Sequence, residues 1–438
     1  MTGAECCEMM RRGRCQMKRG RSVLIALIIS ALIVPVLLAE GGNIYRERRE
    51  QVRKELKGGV ALLFSGEPVR SMMGHYFRVD KNFYYLTGLK EPEAILTITE
   101  EGDILFIKKG DENKRKELSR VSGISRVLLV EKMNDFLSSL IAEKGMIYFP
   151  LPRLSIFSLS SPKLAFVNRM RKQLPEFEVG NLSPILIRMR MVKSKEELAL
   201  MRRAIEITAR GLIEAIRSAE PGMYEYQLQA VVEYVFHFLG AERTSFPSIV
   251  GSGPNSVIIH YEKNRRQIKP GELVVIDVGA EFKEYAGDLT RTIPIAGRFT
   301  KRQKEIYEIV LEAQRRGIAA ARPGATLRDV DRAARSYIKE RGYGKYFIHG
   351  TSHFLGLDVH DPALPNVKLA PGMVITVEPG IYIPEENLGV RIEDDILITE
   401  KGAVVLSSFL PKRPEEIERL MVEKGVGNML KLGAGSGG

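Results

Sequence analysis

The sequence predicts a mixed α/β (α+β) chain of two domains, and three observations carry that expectation. Short apolar, strand-like runs alternate with helical stretches up to about residue 175. A strongly helical segment follows, and the second half then repeats itself at offsets of 101 and 102 residues. The length of 438 residues also leaves room for two or three domains of roughly 150 residues each.

Residues 1–41 read as a basic leader. Six cations (Arg11, Arg12, Arg14, Lys18, Arg19, Arg21) precede the uncharged run Val23–Ala39. Seventeen residues is the short edge for a membrane-spanning helix, at roughly 1.5 Å per residue across roughly 30 Å of hydrocarbon. A secretory signal is the rival reading, with Met17 as a start and Ala39 as a cleavage point. Export or membrane anchoring through residues 23–39 is therefore the expected localisation, with the cytoplasm as the alternative. Cys6, Cys7 and Cys15 all lie in this leader, so the body of the chain has neither a disulfide framework nor a thiol nucleophile. The net charge of +12 is interleaved with acids and lacks a basic stripe with spaced aromatics, so no nucleic-acid partner is expected.

Residues 42–180 form the first predicted domain. A polar helix over Tyr45–Leu56 is followed by strands at Val60–Phe64, Ala94–Thr99, Asp103–Ile107 and Val127–Val130. The aromatic run Phe83–Tyr85 reads as core. Asn181–Pro184 reads as a linker to a second domain over 185–425, with a flexible tail at 426–438. That domain opens with a helix over Lys193–Ser218, in which Leu198, Met201, Ile205, Leu212 and Ile216 recur at helical spacing.

The repeat in this second half decides more than any single motif. Helices end at Pro221-Gly222 and again at Pro323-Gly324. Pro270-Gly271 leads into an apolar strand, and so does Pro371-Gly372. Asp277 follows Gly271 by six residues, and Glu378 follows Gly372 by six. A duplicated unit folded on itself would bring the two acids together. A carboxylate in a Val/Ile-rich strand is costly to bury without a cation or hydrogen-bond donors. Asp288 follows eleven residues later, after a turn at Lys283-Glu284, and Glu393 follows Glu378 after a similar loop. Taken singly, each acid has a plain structural reading as a salt-bridged strand end or a turn residue. His353 stands in HGTSHFLGLDVHD, between His349 and His360, and with His260 these make four of the chain's six histidines.

Four carboxylates and an imidazole make an oxygen-rich ligand set. Bridging carboxylates would hold two ions about 3.5–4 Å apart, with water between them acidified to hydroxide near neutral pH. Such ligation favours Mn2+, with Co2+, Zn2+ or Fe2+ possible by chemistry.

At these residues the sequence resembles the pita-bread metallopeptidases of the aminopeptidase P type. The matching segments are SIVGSGPNSVIIHY, VVIDVGAEFKEYAGDLTRTIP, HGTSHFLGLDVHD, TVEPGIYI and VRIEDDI. FRVDKNFYYLTGLKEPEAIL resembles that family's creatinase-like first domain. The resemblance implies a small N-terminal α/β domain followed by a pseudo-twofold pita-bread catalytic domain. It implies that Asp277 and Asp288 hold one ion, that Asp288 and Glu393 bridge, and that His353 and Glu378 complete the second. Glu378 would also take the proton of the attacking water. His260 and His360 would stabilise the scissile amide and its oxyanion, with His349 lining the pocket and Arg391 supporting Asp277 or Glu393. Proline-containing peptides are the implied substrates, and a homo-oligomer the implied assembly. Prolidase, which cleaves Xaa-Pro dipeptides, is the alternative. A ligand-binding pseudoenzyme is more remote, because all five ligand types are present.

Overall fold

The structure is a computed structural model. It describes residues 41–431, except 67–68, 72–73, 134, 137–145, 152–164, 166–167, 169–170 and 173–177. The leader, with its three cysteines and the run Val23–Ala39, lies outside the described residues. Among those described, no helix is long and apolar enough to cross a membrane. The chain divides into two compact units, Met1–Ile185 and Leu186–Gly438.

The first unit holds α1 (Gly41–Glu55), β1 (Val60–Phe64), a ribbon of β2 (Val69–Ser71) and β3 (Gly74–Tyr76), and α2 (Lys81–Thr87). Then follow β4 (Ile95–Ile98), β5 (Asp103–Ile107), α3 (Glu112–Ser122), β6 (Arg126–Leu129), β7 (Met146–Phe149) and β8 (Glu178–Asn181). Six strands form one mixed sheet in the order β6-β5-β4-β1-β7-β8. Alternation builds its core: Val60 and Leu62, Ile104 and Phe106, Ile147 and Phe149 pack together, as side chains two apart share a face. Asp80 and Asp111 cap α2 and α3 by accepting backbone N–H groups, and Gly88 and Gly123 end them at φ 69° and 70°. Arg49, fully buried on α1, donates to Asp103, to Leu86 O and to Ser122 O at 2.7–2.9 Å, tying three elements together. The aromatic run Phe83–Tyr85 is buried in α2, as its apolar bulk requires.

Asn181–Pro184 differs from the linker expected there. Asn181 ends β8 and Ser183 begins α4 (Ser183–Met191), so a helix carries the chain across the boundary between the units. Ser183 N–H donates to Asn181 Oδ1 at 3.0 Å, starting that helix immediately.

The second unit continues with α5 (Lys195–Ser218), α6 (Glu225–Phe238), β9 (Arg243–Thr244) and β10 (Ile249–Ser252). Next come β11 (Leu273–Val278), β12 (Ala280–Phe282), β13 (Tyr285–Ala286), β14 (Leu289–Pro294), α7 (Lys301–Ala320) and α8 (Leu327–Glu340). The last elements are β15 (Val374–Val377), β16 (Gly380–Ile383), β17 (Leu388–Arg391), β18 (Asp394–Thr399), β19 (Gly402–Val405), α9 (Pro414–Leu420) and α10 (Val426–Lys431). Ser194 and Glu197 form a capping box at the start of α5.

The duplication is visible in the backbone. Gly222, Gly271, Gly324 and Gly372 all adopt positive φ, between 81° and 89°, the region only glycine enters freely. Gly222 N–H donates to Ile268 O and Ile268 N–H donates to Met223 O. Gly324, Leu369 and Ala325 repeat the pattern, with the same 2.9 and 2.7 Å distances. Each copy supplies a helix pair and a three-stranded sheet, β10-β11-β14 in the first and β15-β18-β19 in the second. The expected flexible tail is in part a helix. Gly427 N–H donates to Ser218 Oγ at 2.9 Å and Asn428 Nδ2 to Ser218 O at 3.2 Å, fastening α10 to the end of α5. Residues 432–438 lie outside the described ones.

Candidate metal centre

Two strand ends and one seam assemble the site. In the first copy β11 pairs with β14, Asp277 facing Thr290 and Val278 facing Leu289. The intervening hairpin of β12 and β13 turns at Lys283 and Glu284, both at positive φ, and returns Asp288 to the end of β11. In the second copy β15 ends at Val377, opposite Asp394, so Glu378 and Glu393 leave the same strand end. Glu393 N–H donates to Thr290 O at 3.1 Å, and Thr292 Oγ1 bonds both backbone groups of Arg391. The two copies therefore meet where their acids stand.

Asp288, His353 and Glu393 each present a ligand atom, and these atoms lie within 4.8 Å of one another. His353 Nε2 is 3.4 Å from Asp288 Oδ2 and 3.5 Å from Glu378 Oε1. Its Nδ1 lies 3.1 Å from Phe354 O, which can only accept, so Nδ1 carries a proton and Nε2 faces the acids. One oxygen of Asp277 is held by Arg391 Nη2 at 2.7 Å, while the other, Oδ1, is buried without a hydrogen-bond partner.

The electrostatics ask for cations. Burial drives the carboxyl of Asp288 up to about 6 and that of Glu378 to about 7, and neighbouring acids add to both shifts. Glu393 is pushed well above the carboxylate range by burial and then by Asp288, Glu378 and Asp277. Burial alone would lower His353, yet its hydrogen bond to Asp288 and the charges of Glu378 and Asp288 hold it at about 9. Buried acids that repel one another, with an oxygen left unbonded, fit divalent ions; without ions they recruit protons instead.

A polar chain runs outward from Asp277. Arg391 Nη1 donates to Tyr382 OH at 2.9 Å, and Tyr382 OH lies 2.8 Å from His349 Nε2. His349 Nδ1 lies 2.8 Å from Gly350 O, which can only accept, so Nδ1 carries a proton, and in the neutral tautomer this leaves Nε2 to accept. Burial, then the nearby Arg391, lower His349 to about 4, in keeping with that assignment. Of the two sequence readings for Arg391, support for Asp277 rather than Glu393 is the one the side chain makes. His360 stacks on His353, with centroids 4.0 Å apart and planes at 9°. His260 is exposed on the connection between β10 and β11, near enough for its charge to reach both His349 and His360.

Residues 199–400 match the model of metallopeptidase family M24, and residues 45–148 match that of the aminopeptidase P N-terminal domain. The chain is 36% identical to the Xaa-Pro aminopeptidase of Escherichia coli over 427 residues, covering 86% of this chain and 97% of that protein. This chain belongs to metallopeptidase family M24, in its aminopeptidase P branch. The M24 chain is also 37% identical to the Xaa-Pro dipeptidase of Pyrococcus horikoshii over 329 residues, covering 74% of this chain and 89% of that protein. Among solved structures, E. coli aminopeptidase P with the inhibitor Pro-Leu superposes with a TM-score of 0.76 at 34% identity, covering 87% of this chain and 98% of that one. The second unit thus has the pita-bread fold, and family membership implies divalent metal ions in an M24 centre.

Sequence reasoning passed over several residues that the fold brings to this site. Asp395 accepts Asp288 N–H at 3.1 Å, keeps a buried unbonded oxygen, and is pushed well above the usual carboxylate range by burial and Asp288. Thr290 Oγ1 donates to Glu393 Oε2 at 2.8 Å, and Tyr382 links Arg391 to His349. The doubled acid in VRIEDDI was the available signal for Asp395. Nothing marks Thr290, whose role depends on strand register.

Proposed function

We propose that this chain is a metal-dependent Xaa-Pro aminopeptidase, releasing the first residue of peptides with proline second. The observation that carries this reading is the convergence of Asp288, His353 and Glu393 within 4.8 Å, beside Glu378 and Asp277. Asp277, Asp288, His353, Glu378 and Glu393 would hold two divalent ions. Bound there, the ions supply a Lewis acid for the scissile carbonyl and a water acidic enough to ionise near neutral pH. The preponderance of carboxylate oxygen supports manganese as the native metal.

The side chains then divide the work. Glu378, whose carboxylate lies between His349 and His353, accepts the proton of the attacking water and passes it to the departing proline nitrogen. Neutral His349, oriented by Tyr382, lines the pocket, and His260 and His360 stabilise charge on the scissile amide. Arg391 fixes the orientation of Asp277 by donating Nη2–H to its Oδ2 at 2.7 Å. The Xaa-Pro bond is a tertiary amide without an N–H, so a site shaped for the ring accepts what other peptidases reject.

A metal-depleted preparation re-supplied with manganese and offered Xaa-Pro-Yaa and Xaa-Pro tests the reading. Release of the first residue from the tripeptide is expected. Cleavage of the dipeptide alone would move the assignment to prolidase, a reading that the Pyrococcus relative supports. No turnover of either by metal-loaded protein would sink both. We propose further that the leader exports or anchors the enzyme and that it works as a homo-oligomer. Cell fractionation, sequencing of the mature N-terminus at Ala39 and light scattering test these points.

A further inference from the structure

The connection from β10 to β11 spans residues 253–272; after one 3-10 turn over Gly253–Val257 it runs on through residues 258–272 without a helix or strand, and connections of that length in compact domains usually serve function. It carries His260. Between Ile258 and Arg265 only Tyr261 and Asn264 are buried, so two side chains peg an otherwise exposed stretch. Both pegs end on α6. Tyr261 OH donates to Glu225 Oε2 at 2.9 Å, and Asn264 Nδ2 donates to Gln229 Oε1 at 2.9 Å. Glu225 and Gln229 are one helical turn apart and share a face.

Glu225 is fully buried. It accepts five hydrogen bonds at 2.7–2.9 Å: from Ser252 N and Oγ, Asn255 Nδ2, Tyr261 OH and Arg266 N. Four of those donors lie before and after His260 in the chain at Ser252, Asn255 and Arg266, and the fifth is its immediate neighbour. Among the described residues no ion pair reaches Glu225. Its charge is offset by these donors and by its place in the first turn of α6. A buried carboxylate serving packing alone would be replaced by an apolar side chain at lower cost. The far side of the segment is gripped from β17: Gly389 N–H donates to Ser256 Oγ at 2.8 Å, and Arg391 Nη2 reaches Ile259 O at 3.5 Å. His260 stands between the two grips.

We propose that Glu225, acting through Tyr261, is a positioning residue that fixes His260 at the metal centre. The kinetic part of its test rests on the aminopeptidase reading, while the spectroscopic part does not. Tyr261→Phe removes one hydroxyl and keeps the ring. It is expected to lower kcat at least about 10-fold, since a misplaced group near 1 Å costs up to 10²-fold, with KM, metal content and melting temperature near wild type. In a His260→Ala background the same change should add less than about 2-fold, the mark of two residues acting as one unit. With six histidines in the chain, the His260 ring signal can be assigned by its loss in His260→Ala and should shift or broaden in Tyr261→Phe. Glu225→Gln, if it folds, should reproduce both effects. An equal loss of kcat in the presence and absence of His260, or an unmoved His260 resonance in Tyr261→Phe, would overturn the proposal. Inactive but metal-loaded wild type would count against the aminopeptidase reading only, and the resonance would still decide this one.

Discussion

His353 shows how much one side chain has to reconcile. Its ring is fixed by Phe354 O on one side and offers Nε2 to two acids on the other. Replacing it with alanine is expected to abolish activity and metal stoichiometry together; metal analysis showing two ions per chain in His353→Ala would refute its role as a ligand. The protonation pattern gives a second expectation. Without metal, His353 titrates at about 9 rather than near 6.5, so the folded chain holds a proton the unfolded chain has lost. That contribution is present below about pH 6.5 and is lost as pH rises towards 9. Glu378 at about 7 and Asp288 at about 6 act in the same direction at lower pH. His349 and His360, both held near 4, oppose them below 6.5 by favouring the folded state as pH rises. Metal-free protein should therefore lose thermal stability between about pH 6.5 and 9, and saturating Mn2+ should reverse that trend, because metal displaces protons more easily at high pH. Scanning fluorimetry with and without chelator measures both. The five clustered residues were legible because acids inside Val/Ile strands conflict with their surroundings. Thr290, Tyr382 and Asp395 were not, because their roles arise only from pairing across the seam.

The elements that position these residues rest on a few special backbone conformations. Gly271 lies at φ 81° with open space where a Cβ would go, so Gly271→Ala should cost about 1–2 kcal/mol from the left-handed conformation alone. Gly389 has an ordinary φ, but its added Cβ would meet Ser256 O at 2.0 Å. Gly389→Ala should therefore destabilise more than Gly271→Ala and also lower kcat, since it pushes on the segment bearing His260; urea unfolding and steady-state kinetics on the two variants compare them. Pro-Gly pairs at matched offsets made the turns, and hence the duplication, readable. The sequence does not show the start of α4 because Asn181 and Pro184 look like turn residues, whereas Asn181 accepts the first N–H of the helix and Pro184 fits its first turn. The helix α10 was missed because Gly425 and Gly427 weaken any local signal. Its order comes from Ser218, more than two hundred residues away.

On the scale of the molecule, each copy of the repeat contributes carboxylates, and no copy has a complete set. Ions held by the five residues as proposed would link the two copies and stabilise the unit by mass action. At a hundredfold excess over Kd one site contributes about 2.7 kcal/mol. For a unit of this size that raises the melting temperature by roughly 5–10 °C, and the rise should grow with metal concentration. A melting temperature indifferent to metal would mean that the ions do not bridge the copies. The order of synthesis adds a further consequence. Asp277 and Asp288 leave the ribosome well before Glu378 and Glu393, and a chain folds from its N-terminal side as it is made. During that interval the first copy carries acids with no partners across the seam and no arginine on Asp277. If the five residues hold the ions as proposed, metal acquisition is a late event, open only to a chain whose second copy has already docked, and a filled centre certifies that assembly is finished.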